Sequence, residues 1–367
     1  MVKVDYKNSI VNLSNSLLNH FGVTPFHNSI PTIDKLLNGK KKVIVFLFDG
    51  MGKAILEKHL DKDSYFRSHI IHTMSATLPP TTVASTNAFL SARFPSETGW
   101  FGWVQYFKDI DRNIKVFRNT DKDTGEYLGD ENIMNKVASY DNIITLINNK
   151  YKKNIAKQYM GYSVGKTPNV RFLNRFVKSA FDHAKSKEET FTYAYWTDPD
   201  GKLHENGTTS KVVTSNIKRI QKIIRSYASR NKDVAILVIA DHGQVDVTYL
   251  HMCDHPDFYN TLKRTPSFEA RCLNFYVKEN KDKEFEELFN KYYGKYFELH
   301  SRKEVLENHL FGEGEMSPLA RSFLGDYIAI AIDKYSLNRF IDDEPLKGHH
   351  AGGTPDEFLI DIIGLNL

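Results

Sequence analysis

The 367-residue chain, 41% hydrophobic, is long enough to bury a sizeable core in one large domain or in a domain with an added lobe. Its net charge of +4 suits small anionic substrates but carries no basic stripe of the kind that grips nucleic acid, so no nucleic-acid partner is expected. No apolar stretch reaches membrane-spanning length, residues 1–7 lack an apolar signal segment, and two cysteines (Cys253, Cys272) make no disulfide framework; a cytoplasmic protein without a membrane partner is expected.

Along the chain, residues 43–48 (VIVFLF) read as a strand buried on both faces, ending in Asp49-Gly50-Met51-Gly52. Asp49 then sits at the carboxyl end of a strand, where open α/β sheets bind ligands, with helix capping as the plain alternative. Residues 78–85 (LPPTTVAS) lead into a small, apolar helical stretch, 83–92, which places Thr82 near a helix N-terminus that favours an anion such as phosphate. Capping by Thr81 or Thr82 is compatible with that role. The segment 99–130 is rich in Trp, Phe and Tyr, which suits either a substrate cleft or ordinary core. The cationic cluster 150–157 reads as a solvated face.

Residues 191–196 form a third apolar run, leading to Asp200 and His204, four apart and so on one face of a helical turn; Asp198, before Pro199, suits a turn. Ile217, Ile220, Ile223, Ile224 and Tyr227 recur at helical spacing. Residues 234–240 (VAILVIA) form another buried strand, ending in Asp241-His242-Gly243. Two strand-end carboxylates, one followed by a His, match the needs of a zinc-type site, although a turn with an Asx bond has the same local pattern. The spacing of His251-Met252-Cys253-Asp254-His255 fits no standard zinc pattern. Residues 246–344 interrupt the candidate ligand motifs and hold strand runs at 273–277 and 327–332 and a charged helical stretch at 281–290. The core is then 1–245 and 345–367. His349-His350 lies in a loop of small residues near the end. Alternating strand and helix patterns give the fold class: α/β, a mixed, mostly parallel sheet sandwiched by helices.

Six motifs, in order, resemble the alkaline phosphatase superfamily, and most closely the type I phosphodiesterase/nucleotide pyrophosphatase family with its bacterial intracellular members. They are Phe48-Asp49-Gly50, Pro79-Pro80-Thr81-Thr82, Phe94-Pro95-Ser96-Glu97-Thr98-Gly99, Pro199-Asp200-Gly201-Lys202-Leu203-His204, Asp241-His242-Gly243 and His350-Ala351-Gly352. The resemblance spans residues 40–365, implies that the interval 246–344 is partly an inserted α+β subdomain with return strands, and implies two Zn2+, with Mn2+ fitting the same Asp/His set. Asp200, His204 and His350 would hold one ion, and Asp49, Asp241 and His242 the other. Thr82 would be the nucleophile that forms a covalent intermediate. Leu203 and Ala351 stand where the family has glycine. The family's phosphoryl-binding Asn falls near Trp103, with Gln105 and Asn87 as the available amides. No sulfatase motif occurs, and the chain has no room for the mutase insert. The function implied is hydrolysis of phosphodiester or pyrophosphate bonds in small, nucleotide-like substrates. A phosphomonoesterase, with Arg93 holding the phosphate, or a phosphonate hydrolase is the alternative, ahead of a catalytically inert metal-binding relative. The oligomeric state is left open.

Overall fold

A computed structural model describes residues 4–161, 170–339 and 345–367. Residues 1–3 of the N-terminal segment and 340–344 at the end of the expected insertion lie outside the described residues. The apolar runs form the middle of a six-stranded sheet. Its order is Ile70–Ser75, Leu359–Leu365, Ala235–Ile239, Lys42–Phe48, Thr190–Trp196, Ala156–Gly161. Lys42–Phe48 pairs in parallel with both of its neighbours, and Thr190–Trp196 in parallel with Ala156–Gly161. Leu359–Leu365 runs antiparallel to both of its neighbours. The fold is therefore α/β with a mixed, mostly parallel sheet flanked by helices, as expected.

Every residue of Thr190–Trp196 and Ala235–Ile239 is buried, which is why these runs show no alternation of apolar and polar positions. Each large apolar side chain taken from water here contributes about 1.5–3 kcal/mol. Helix Lys211–Arg230 turns Ile217, Ile220 and Ile224 into the core and leaves Ile223 and Tyr227 partly buried at its margin. Helix Thr82–Ser91 is buried on nearly all sides. Its small residues admit helix Ile10–His20, from which Ser14 Oγ donates to Phe89 O and Asn15 Nδ2 to Ala92 O.

A second, antiparallel sheet has seven strands. Their order is Phe297–Ser301, Tyr327–Ala331, Cys272–Phe275, Ser267–Glu269, Val104–Phe107, Arg112–Lys115, Thr120–Asp121. It draws strands from both sides of residue 245, so the aromatic segment that follows Gly99 pairs with the interval read as an insertion. Helix Asp282–Tyr292 covers one end, where Phe285 packs on Phe258 and Phe275 with ring centroids 5.4 and 5.3 Å apart. Among the described residues no helix is long and apolar enough to cross a membrane.

Candidate active site and metal centre

Strand register assembles the site. Phe48 lies level with Trp196 on one side, and Leu47 with Ile239 on the other, so Asp49 and Asp241 emerge together at the carboxyl ends of the two central strands. Gly50 N donates to Asp241 Oδ1 at 3.1 Å, and Asp200 N donates to Asp49 O at 3.0 Å. Gly50 has a φ of 71°, and a Cβ there would lie 3.0 Å from the Cα of Asp200. Glycine is what lets these two loops approach so closely.

Asp200 opens helix Asp200–Asn206 and His204 follows one turn later, with its Nε2 3.3 Å from Asp200 Oδ1. His350 Nε2 reaches to 3.9 Å of the same oxygen, and its ring stacks on that of His242 with centroids 3.9 Å apart. His242 Nε2 is 3.3 Å from Asp49 Oδ1 and 3.7 Å from Asp241 Oδ2. Two groups of potential ligands result: Asp200, His204 and His350, and Asp49, Asp200 and His242. Asp200 belongs to both, and Asp241 lies beside the second. His350, not His349, enters the cluster. Asp198 is held apart by Lys202 Nζ at 2.7 Å and Asn216 Nδ2 at 3.1 Å.

The donor chemistry fits divalent cations. The Nδ1 atoms of His204, His242 and His350 lie 2.7, 3.0 and 3.2 Å from the carbonyls of Gly348, Gly243 and Pro80. Donation there from Nδ1–H leaves each Nε2 lone pair facing the carboxylates. Asp241 Oδ2 is buried without a hydrogen-bond partner. Burial, then repulsion from Asp241 and Asp200, drives Asp49 well above the ordinary carboxylate range. Burial lifts Asp241 to about 7. Burial also pushes Asp200 up, but the charge and hydrogen bond of His204 outweigh it and carry the group below its usual value. Burial, then the neighbouring imidazoles, holds His350 well below the ordinary histidine range. Such a concentration of buried carboxylate needs compensating positive charge. Protons supply it at the cost of the ligand lone pairs; Zn2+ or Mn2+ supplies it with the Asp/His set deprotonated.

Thr82 is the first residue of its helix. Its hydroxyl lies 3.3 and 3.4 Å from the two carboxylate oxygens of Asp49 and 3.1 Å from His242 Nε2. Neither threonine caps the helix. Thr81 Oγ1 instead donates to Glu269 Oε1 at 2.8 Å, so the first-turn N–H groups have no side-chain cap. Thr82, Asp49 and Asp200 line a cavity of about 1030 Å3, whose walls also include Asn87, Trp100, Trp103, Phe117 and Arg118. Asn87 donates to Val83 O at 2.8 Å and accepts from the Tyr140 hydroxyl at 2.5 Å, which leaves one amide N–H for a ligand. Gln105 lies off this cavity, fully buried, its amide bonded to Gly99 O at 2.9 Å and Phe101 N at 3.0 Å. Arg93 is not among the cavity walls; its guanidinium sits 3.8 Å from the centroid of the Phe26 ring. His251 and His255 stand outside both ligand groups, and His255 stacks on Tyr292.

Several further residues support the site, and all but one of them carry no sequence signal. The Tyr195 hydroxyl donates to Asp49 Oδ2, and Gln244 Nε2 donates to Asp200 Oδ1. Arg271 and Glu357, both fully buried, form a bidentate pair with two contacts of 2.7 Å. Glu357 Oε1 also accepts from Gly352 N at 2.8 Å, and Glu357 O from Gly243 N at 2.7 Å. One ion pair thus fixes the loops that carry His350 and His242. Gln244 alone was within reach of sequence reading, one residue beyond Asp241-His242-Gly243.

Ala351, where the family has glycine, takes a φ of 84° in a fully buried position. Ala351→Gly is expected to raise the unfolding free energy by about 0.5–1 kcal/mol in urea titrations, because the left-handed region strains a Cβ. His204 gives a pH signature. Burial lowers its pKa, but Asp200 outweighs burial and raises the group to about 9 from 6.5. Its stabilising contribution is complete below pH 6.5 and is lost as pH rises through 9. Metal-depleted protein should therefore lose about 2 kcal/mol of stability between pH 7 and 9, with a smaller loss in His204→Gln and in metal-loaded protein.

A sequence model of the type I phosphodiesterase / nucleotide pyrophosphatase family matches residues 43–353. No curated protein matches the chain. Among solved structures, the chain is similar to murine ectonucleotide pyrophosphatase/phosphodiesterase 5, as an inactive Thr→Ala variant in complex with AMP. The TM-score is 0.62 at 14% identity, covering 88% of this chain and 87% of that one. The human protein of the same name gives 0.65 at 15% identity over 88% and 87%. Phosphonoacetate hydrolase from Sinorhizobium meliloti 1021, in complex with phosphonoformate, gives 0.66 at 12% identity over 89% and 90%. With most of its length matched, the chain belongs to the type I phosphodiesterase / nucleotide pyrophosphatase family and is a phosphodiesterase/pyrophosphatase-like hydrolase.

Proposed function

We propose that the protein cleaves phosphodiester or phosphoanhydride bonds of small, nucleotide-like substrates, with Thr82 as nucleophile and two bound divalent cations. The observation that carries this reading is the Thr82 hydroxyl at an uncapped helix N-terminus, within 3.4 Å of Asp49 and His242, on the wall of a cavity of about 1030 Å3. Asp200, His204 and His350 would hold one cation, and Asp49, Asp241 and His242 the other. When bound, such ions supply Lewis-acid stabilisation to the attacking and leaving oxygens of an in-line displacement. The chain itself supplies position and charge. Asp49 and His242 orient the Thr82 oxygen, the first-turn N–H groups face a phosphoryl oxygen, and the remaining Asn87 N–H is available to a second. Attack by Thr82 Oγ on phosphorus breaks the bond to the leaving oxygen and forms a phosphothreonine ester. Water then cleaves that ester and restores the hydroxyl.

Small ligands of this class are found in the similar structures: AMP in the murine protein and phosphonoformate in the bacterial one. The second of these favours a phosphonate hydrolase as the other reading. The monoesterase alternative loses its expected cation, since Arg93 is stacked on Phe26.

Zinc- or manganese-loaded protein is expected to hydrolyse bis(4-nitrophenyl) phosphate faster than 4-nitrophenyl phosphate in steady-state assays. Thr82→Ala should lower kcat by about 10^3-fold or more while its metal content stays unchanged. Full turnover by Thr82→Ala would remove the nucleophile, and preference for the monoester would move the function to phosphatase.

A further inference from the structure

A second cavity, of about 470 Å3, lies on the other side of Trp103. Trp103 lines both cavities, and Glu269 joins them, accepting from Thr81 Oγ1 beside the nucleophile and from Trp103 N at 2.7 Å. None of the six candidate ligands lines the second cavity, but one of its walls borders them. His349 is one of its walls, with its ring centroid 5.6 Å from that of His204 and 5.5 Å from that of His350.

Direction follows from the proposed displacement. Thr82 stands beside Asp49 and His242, so an in-line reaction expels the leaving oxygen towards Asp200, His204 and His350. That is the flank on which His349 and the second cavity lie. The cavity is cationic: Lys115, Lys122 and Arg339 line it against Asp123 and Glu269. Register places Lys115 across from Val104, which pairs with Phe268 beside Glu269. Lys115 makes no ion pair among the described residues, and Lys122 Nζ reaches only Pro266 O, at 3.3 Å. Lys122 is solvent-exposed, yet desolvation by its surroundings lowers its pKa; Asp123 opposes that shift, and the charges of Lys115 and Arg339 add to it. Like charges crowded into a concave wall are stabilised by an anion.

We propose that this cavity is the leaving-group subsite, and that Lys115 and Lys122 make it selective for leaving groups that carry their own negative charge, such as a phosphate or a carboxylate. The proposal rests on the diesterase reading above. It extends that reading from the bond cleaved to the part of the substrate that departs.

The test uses two thymidine 5′-phosphate aryl esters that differ only in the leaving phenol, 4-carboxyphenol or 4-carboxamidophenol, with zinc-loaded full-length protein. The quantity read is the ratio of kcat/KM for the carboxylate ester to that for the amide ester. Lys115→Gln/Lys122→Gln should lower this ratio about tenfold relative to the unsubstituted protein, and Lys115→Arg/Lys122→Arg should restore it. Added salt should lower the ratio in the unsubstituted protein and have little effect in the Gln variant. Cleavage of both esters with the same ratio in all three proteins overturns the subsite alone. Failure to cleave either ester overturns the diesterase reading, and the subsite with it.

Discussion

Three carboxylates, Asp49, Asp200 and Asp241, are packed against three imidazoles at the carboxyl ends of the central strands, and the rest of the architecture serves to hold that charge in place. Left in water, such groups would ionise independently. Buried together, Asp49 and Asp241 are pushed up by desolvation, and Asp241 keeps one oxygen without a hydrogen-bond partner. A buried charge of this kind persists only when something of opposite sign compensates it. The imidazoles are pinned through Nδ1 to backbone carbonyls, so that Nε2 is the atom presented to whatever does so.

The scaffold answers this constraint in two ways. Two central parallel strands, ending side by side, bring Asp49 and Asp241 out together, and the short helix that begins at Asp200 adds two more donors from a single turn. The fully buried Arg271–Glu357 pair then locks the loops that carry His242 and His350. A buried ion pair is a costly way to gain stability, but breaking one by removing a single partner costs about 3–5 kcal/mol. Here it joins the second sheet, through Arg271 on the turn after Ser267–Glu269, to the loops that carry the candidate ligands His242 and His350. The Thr81–Glu269 bond makes a parallel link beside Thr82. The second sheet is therefore part of the active-site support as well as the wall of its cavities.

What the sequence made legible follows the range of the interactions. Asp49, Asp241 and His242 could be read because they end short, wholly apolar runs, and such runs have few structural uses other than a buried strand. Asp200 and His204 could be read from a spacing of four. Thr82 could be read from the small, apolar residues that follow it. These are local signals, and the structure brings the same residues together. Tyr195, Glu269, Arg271 and Glu357 act across large sequence separations, and nothing beside them in the chain announces a partner. The amides on offer for a phosphoryl contact are placed by packing that residue spacing does not reveal. Gln105 spends its amide on Gly99 and Phe101, whereas Asn87 reaches the cavity because it follows Thr82 on the same helix. Ala351 shows a further limit: nothing in the sequence around it announces that the backbone there has a φ of 84°.

The central claim is that divalent cations compensate the buried carboxylates and thereby activate Thr82. Anomalous diffraction at the zinc edge, on crystals of zinc-loaded protein, tests it most directly. The account predicts two ions about 4 Å apart, one bound by Asp200, His204 and His350 and the other by Asp49, Asp241 and His242, with the Thr82 oxygen next to the second. A single ion, ions bound elsewhere, or an ordered cluster with protons in place of metal would contradict it.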